Sequence, residues 1–293
     1  FLTLRSRVNN YFSDSKTSRY ANTNMIIKTI FMFSLYFVPY FFIVSGILEY
    51  PLLIFVTWCI MGIGIAGIGL NIMHDANHGV YTKNKFWNSF LSYTMDLVGS
   101  NAAVWRIQHN VLHHVYTNIQ NTDEDINGIP FLLRFSPHQK RYKIHRFQFL
   151  YAWFFYGLMT LMRVFYSDFV QLFKFKKESH FRSEKEFRKE LLILIFSKSI
   201  YFIYVLVIPA FVLPVSFGFI LLCFLSMHFI AGFILAVIFQ TAHIMPELEF
   251  PIPDKTGKID NNWAVHELVT TANFAPKSRI LSWCIGGLNF QVE

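Results

Sequence analysis

Two short histidine clusters carry the chemistry this chain could perform. His74-Asp75-Ala76-Asn77-His78 sets two imidazoles four residues apart. His109-Asn110-Val111-Leu112-His113-His114 repeats that step and adds an adjacent ring. On an α-helix an i,i+4 pair lies on one face, one turn apart, and His114 would then project about a third of a turn away from His113. Neutral imidazole ligates most first-row transition metals. Five of the eleven histidines fall in the 41 residues from His74 to His114, enough donors for more than one ion. A lone i,i+4 pair is common on helices, but two such pairs, each at the edge of an apolar stretch, are poorly explained by packing or solvation. No glutamate is followed three residues later by a histidine. The carboxylate-bridged di-iron bundle, built on Glu-x-x-His pairs, is therefore excluded, and a dinuclear site here would be nitrogen-rich.

The elements that must position these rings are apolar and long. The chain is 54% hydrophobic and 15% charged, against about 45–50% and about 25% in soluble domains, and its mean hydropathy is +0.37. Residues 29–48, 50–73 and 215–242 carry no Asp, Glu, Lys or Arg, and 191–213 carries only Lys198. About 20 apolar residues at ~1.5 Å each span a ~30 Å hydrocarbon core. The sequence thus predicts an all-α integral membrane protein with four transmembrane helices, near 26–48, 50–73, 191–213 and 215–242. These pair into two hairpins, the second turning at Pro214, which cannot continue a helix without losing a hydrogen bond.

Depth ties the histidines to one level. The second run reaches Met73 after about 36 Å of helix, which brings His74 to the membrane surface. The fourth is about 42 Å long, more than the core needs, and lifts His243 above the bilayer on the same side. All 26 Lys and Arg fall on that side of the four-span topology. This is the positive-inside bias, with both termini cytoplasmic and a cytoplasmic helical cap carrying the metal site. The net charge of +8 is explained in this way, and without a basic-aromatic module it does not indicate nucleic acid.

Between the hairpins, 86–99 is amphipathic. Residues 147–162 are uncharged but short for a span, and read as interfacial. Residues 174–190 mix both charge signs densely and read as a solvated helix with i,i+4 pairs. Cys59, Cys223 and Cys284 are too far apart for a CxxC site, a CxxCH haem attachment or a disulfide framework. The chain opens on Phe1 rather than Met, which reads as an incomplete N-terminus.

At these residues the sequence resembles the membrane fatty-acid desaturases, a family marked by three histidine boxes. His74–His78 matches the first, HxxxH. His109–His114 matches the second, HxxxHH. The ending Gly286-Gly287-Leu288-Asn289-Phe290-Gln291-Val292-Glu293 resembles the start of a third box, QxxHH, cut before its two histidines. The glutamine form resembles front-end and linoleoyl-type acyl desaturases in particular. The resemblance covers the chain from the first span onward and implies one desaturase domain over 1–293, incomplete at the C-terminus. It further implies two iron ions held by His74, His78, His109, His113 and His114, with His243 as the extra ligand that follows the last span. Molecular oxygen would be the co-substrate, and a separate protein would donate two electrons. A fatty acyl chain, as acyl-CoA or acyl-lipid, would gain a cis double bond. Lacking its last two histidines, the fragment is expected to be inactive alone. It has no His-Pro-Gly-Gly haem motif, so a fused cytochrome domain lies elsewhere or the donor is another protein.

Other residues admit two readings. Gln291 either touches metal or only neighbours it. Asp75 and Asn77 either orient imidazoles or are polar helix-end residues. Asp123, Glu124 and Asp125 read as a solvated loop, the alternative being hydrogen bonds to ligand histidines. His266 reads as a surface residue, the alternative being a support for the third box. His228, mid-span, needs a partner on a neighbouring helix. His138, His145 and His180 are background. A hydroxylase on the same scaffold shares all these features, and the glutamine-type third box favours desaturation. A metal-ion transporter would place its ligands near the bilayer midplane, where these clusters do not lie.

Overall fold

The computed structural model describes residues 1–129 and 131–291. Val292 and Glu293, where the sequence reading expects the third box, lie outside the described residues. The described residues are helical, with no strand. Four helices are long and apolar enough to cross a membrane: α2 (Thr23–Val44), α3 (Pro51–Asn77), α8 (Glu184–Val212) and α9 (Phe217–His243). They match the four expected spans to within a few residues, except that α8 begins seven residues earlier than 191. Around them lie α1 (Leu2–Asp14), α4 (Lys85–Ser92), α5 (102–116), α6 (Lys143–Gly157), α7 (Met159–Lys177), α10 (Trp263–Thr270) and α11 (Arg279–Cys284).

The helix starts are set by local chemistry. Asn22 caps α2 by accepting from the Met25 N–H at 3.0 Å, and Ser216 caps α9 by accepting from Phe219 at 3.3 Å. Pro51 opens α3, where a missing N–H costs nothing.

At the centre stands α3, with α2 packed on one side and α9 on another. Two of its glycines permit this. A Cβ on Gly64 would stand 2.8 Å from the Tyr36 nitrogen of α2, and one on Gly62 would collide with the Met227 carbonyl of α9. Small residues matter more here than in water, because apolar side chains gain little by leaving lipid and close backbone approach supplies the contact. Tyr36, Trp58, Met61 and Met227 are fully buried in the resulting core. The short connectors after α2 and α8 share one end of the bundle, Gly46 lying against Val212. His74 and His243 sit at the far ends of α3 and α9.

Two readings between the spans are refined. The 147–162 stretch belongs to α6 and α7, which meet at Leu158 with a 51° bend and lean on α9. Residues 174–190 are not one solvated helix. α7 ends at Lys177, Ser179 turns with φ +62°, and Ser183 caps α8 by accepting from Glu186 at 3.2 Å. Phe175 and Phe187 are buried there, at 0% and 4% exposure, beneath the charges. The i,i+4 pairs exist, Glu184 with Arg188 at 3.2 Å and Lys174 with Glu178 at 3.7 Å, but they belong to two helix ends.

The glycine packing makes a direct prediction. Gly64→Leu should separate α2 from α3 and lower the thermal unfolding midpoint of the detergent-solubilised protein by several degrees. Gly218→Ala, whose Cβ meets nothing within 4 Å, should leave the midpoint unchanged or raise it slightly.

Candidate metal centre

Two helices deliver the histidines, and both widen where they do so. The last turns of α3 adopt π-helical winding over Gly69–Met73, immediately before His74. In α5 the π segment is Ile107–His113 and contains most of the second box. Such widened turns cluster at functional sites. Here the consequence is visible in the rings. On a regular α-helix His114 would point away from His109, as the sequence reading assumed. Instead their Nε2 atoms lie 3.1 Å apart, while His109 also stacks parallel to His113 at 5.4 Å between centroids. The π winding lets three rings of one box face one point.

The first box joins them. His74 and His78 are 4.6 Å apart between ring centroids, and His78 lies 5.2 Å from His109 and 4.9 Å from His114. From α9, His243 brings its Nε2 to 3.3 Å from that of His113. All six expected ligand histidines thus converge. Ring nitrogens of His74, His78 and His109 lie within 4.8 Å of one another, and a second such group is His109, His113 and Asp125. Trp105 stacks on His109 at 4.2 Å and closes the cluster from below.

The donor set fits metal. Nitrogen–metal bonds of about 2.0–2.1 Å place two donors of one ion about 3.0–3.4 Å apart, the separation found in both facing pairs. One buried ring nitrogen, Nε2 of His78, meets no hydrogen-bond partner. Burial, reinforced by neighbouring imidazoles, lowers His78 to about 3 and His114 to about 2, and holds His109 well below the usual range. These three rings are therefore neutral at physiological pH, with lone pairs available.

His113 is the exception. Burial depresses it, but the carboxylates of Asp123 and Asp125 outweigh burial and push it up to about 9. Asp123 Oδ1 lies 3.1 Å from His113 Nδ1. Burial would raise Asp123, yet His113 and the N–H groups of Asn118 and Asp125 hold it below the usual carboxylate range. With Nδ1–H directed at a carboxylate, Nε2 is the nitrogen left to face the site, the carboxylate–histidine arrangement of many metal centres.

The remaining candidates separate clearly. Asp123 is not in a solvated loop: it has no exposed surface and anchors His113. Glu124 pairs with Lys174, and Asp125 approaches His113 at 3.4 Å. The composition of 123–125 hid this, because burial of a carboxylate depends on partners distant in sequence. Asp75 lies 3.1 Å from His74 Nδ1. Asn77 bonds no imidazole; it donates to the Met73 carbonyl and accepts from Arg106 at 3.1 Å. His266 is not on the surface but 4% exposed, beside the Thr117 backbone. Gln291 donates to the Leu288 carbonyl at 2.6 Å and reaches the His243 ring. His228 finds its partners on other helices, Tyr201 at 2.5 Å and Thr160 at 3.2 Å.

Sequence reasoning missed Trp105, Gln108 and Asn118. Asn118 sits at φ +60° and donates to the carbonyls of His243, Glu249 and Thr270 at 3.0–3.2 Å, tying the second box to α9 and α10. Its place four residues after His114 was the one available signal.

A cavity of about 560 Å³ opens beside His109 and Trp105 and runs between α3, α7 and α9. Its walls are largely apolar, with Ile65, Met95, Val98, Met159 and Leu235 among them.

Comparison with known proteins gives a consistent result. The chain is 34% identical, over its full length, to an acyl-lipid (8-3)-desaturase of Physcomitrium patens, of which it spans 61%. It is 33% identical over 99% of its length to an sn-1 linoleoyl-lipid 6-desaturase of Synechocystis sp., spanning 80% of that protein. With an acyl-lipid (8-3)-desaturase of Mortierella alpina the identity is 30%, over 99% of this chain and 65% of the other. No solved structure matches. The family model for fatty acid desaturases matches residues 50–293, the stretch that contains every histidine of the cluster. The four apolar helices, the converging boxes and this match together establish that the chain belongs to the fatty acid desaturase family.

Proposed function

We propose that this chain is the catalytic body of an oxygen-dependent acyl desaturase acting on a lipid-linked fatty acyl chain. The observation that carries the reading is the convergence of six histidines, four of them buried and His78 and His114 half-buried, beside an apolar cavity whose wall includes His109. In the reaction, –CH2–CH2– with O2, two electrons and two protons gives –CH=CH– and two molecules of water. His74, His78, His109, His113, His114 and His243 would hold two iron ions, and Gln291 stands where it could contribute beside His243. Bound there, the ions supply the oxygen chemistry that removes hydrogen from unactivated carbon, which no side chain here could do.

The chain's own residues do the rest. The cavity would receive the acyl chain by shape and close packing, since a chain already in lipid gains little further by leaving water. Trp105 and His109 fix where along that chain reaction occurs, because they form the wall nearest the imidazoles. The apolar lining excludes water, which suppresses side reactions. Asp123 and Asp75 hold His113 and His74 in orientation.

The two-hairpin topology, with both ends and the histidines on the cytoplasmic side, belongs to this reading. It is supported by the shared end of the two connectors and by the one-sided distribution of the 26 basic residues. The electrons would come from a separate protein on that side. The relatives' names point to an acyl-lipid substrate, and it is this class that we assign.

Product analysis by mass spectrometry, using the full-length protein with its donor, tests the activity: loss of two hydrogens is expected, and gain of one oxygen would make it a hydroxylase. Asp123→Asn should lower iron affinity about 10–100-fold while leaving the fold intact, read as iron per chain after dialysis. Leu235→Trp should fill the cavity and reduce kcat/KM for the acyl substrate at least tenfold with iron content unchanged.

A further inference from the structure

A continuous line of polar contacts leaves the imidazoles and runs into the apolar body of the bundle. Asp125 Oδ2 stands 3.4 Å from His113 Nδ1. Its other oxygen accepts from Gln108 Nε2 at 2.7 Å. Gln108 Oε1 accepts from Arg163 Nη2 at 2.5 Å. Arg163 Nη1 donates to Asp168 at 3.2 Å, and Asp168 also accepts from Lys198 at 2.9 Å. Lys198 completes its shell on the carbonyls of Gly99 and Arg163 at 2.9 and 3.0 Å. Asp168 and Lys198 are 0% and 3% exposed, and Lys198 lies within the membrane-length helix α8. A charge so placed is costly and calls for a function.

We infer that Gln108 is a positioning residue whose amide holds Asp125 against His113, and that the Arg163–Asp168–Lys198 chain exists to lock that amide. The inference rests on the metal-site reading above. Arginine only donates, and a carboxylate only accepts. Gln108 must therefore present its oxygen to Arg163 and its N–H to Asp125, and it cannot flip without setting like against like at both ends. The two aspartates of the loop differ in how they are held. Asp123 is fixed by backbone N–H groups of Asn118 and Asp125. Asp125 keeps 30% of its side chain exposed and has Gln108 as its side-chain donor. Without that donor the Asp125 carboxylate is free to turn to water. Asp125 is also the carboxylate that completes the second potential ligand group with His109 and His113. The brace thus sets the geometry of one half of the site from Gln108, beside the second box, backed by α7 and α8, which carry none of the boxes.

Gln108→Glu isolates this role. It keeps the size of the side chain and its partnership with Arg163, but replaces the donor to Asp125 with a second carboxylate. Full-length protein is titrated with Co²⁺ standing for Fe²⁺, its visible bands reporting the ligand set. The expected result is a fall of about 10–100-fold in affinity for one of two ions, with altered bands and an unchanged thermal midpoint. Arg163→Lys, which loses the planar fork that reaches Asp168 and Gln108 from two separate nitrogens, should act in the same direction and carries the test should Gln108→Glu fail to fold. Wild-type affinity and bands in these variants would overturn the brace. Wild-type protein that takes up neither cobalt nor iron would instead overturn the metal reading beneath it.

Discussion

Imidazoles packed together at the end of a bundle of long apolar helices are the constraint on which this structure turns. Each neutral ring has one donor and one acceptor nitrogen. Facing Nε2 pairs at 3.1 and 3.3 Å are satisfied either by an N–H···N hydrogen bond between opposite tautomers or by a shared cation. Burial disfavours adding further protons, because several positive rings in contact would repel in a medium of low dielectric. A cation would instead draw on the lone pairs of both rings of a pair. The same arithmetic explains why the carboxylates gather around His113 rather than being spread over the cluster: one ring is orientated by charge, and the others are kept bare.

Meeting that constraint places demands on helices far from the histidines. α3 and α9 must arrive at a common height and close together, which the glycine faces of α3 allow. Regular winding would still spread a box over more than one face. The π segments before His74 and through the second box redirect the rings at the expense of regular hydrogen bonding, an exchange seen where function selects the geometry. The polar ties of Asn118 to the carbonyls of His243, Glu249 and Thr270 then hold the far side of the cluster in register.

The cavity and the imidazoles form one device. Trp105 belongs to both, stacking on His109 and lining the apolar space. In the proposed reaction an acyl chain held by non-directional packing would be able to slide, and its reactive position would be set by where the cavity meets His109 and by how far the chain enters. α6 and α7 meet at the 51° bend beside Leu158, and residues on both sides of that bend line the cavity.

The sequence by itself determined the elements and the donors. Uncharged runs long enough to span a bilayer are a property of composition over about 20 residues, so four spans were legible, as were six histidines at one depth. The absence of any Glu-x-x-His pair in the sequence also pointed to a nitrogen-rich donor set for any dinuclear site. What only tertiary structure decided concerns burial and winding. Asp123 and His266 look like surface residues in their local context, and contacts with α5, α9 and α10 bury them. His114 turned inward because α5 widened, and nothing local distinguishes a π turn from an α turn. Lys198 reads as a lone charge in a span, and becomes the anchor of a chain ending at His113 only when α5, α7 and α8 are brought together. Spacing along a chain records which face a side chain occupies in a regular helix. Its charge state, its partner and its direction are set by neighbours that folding supplies.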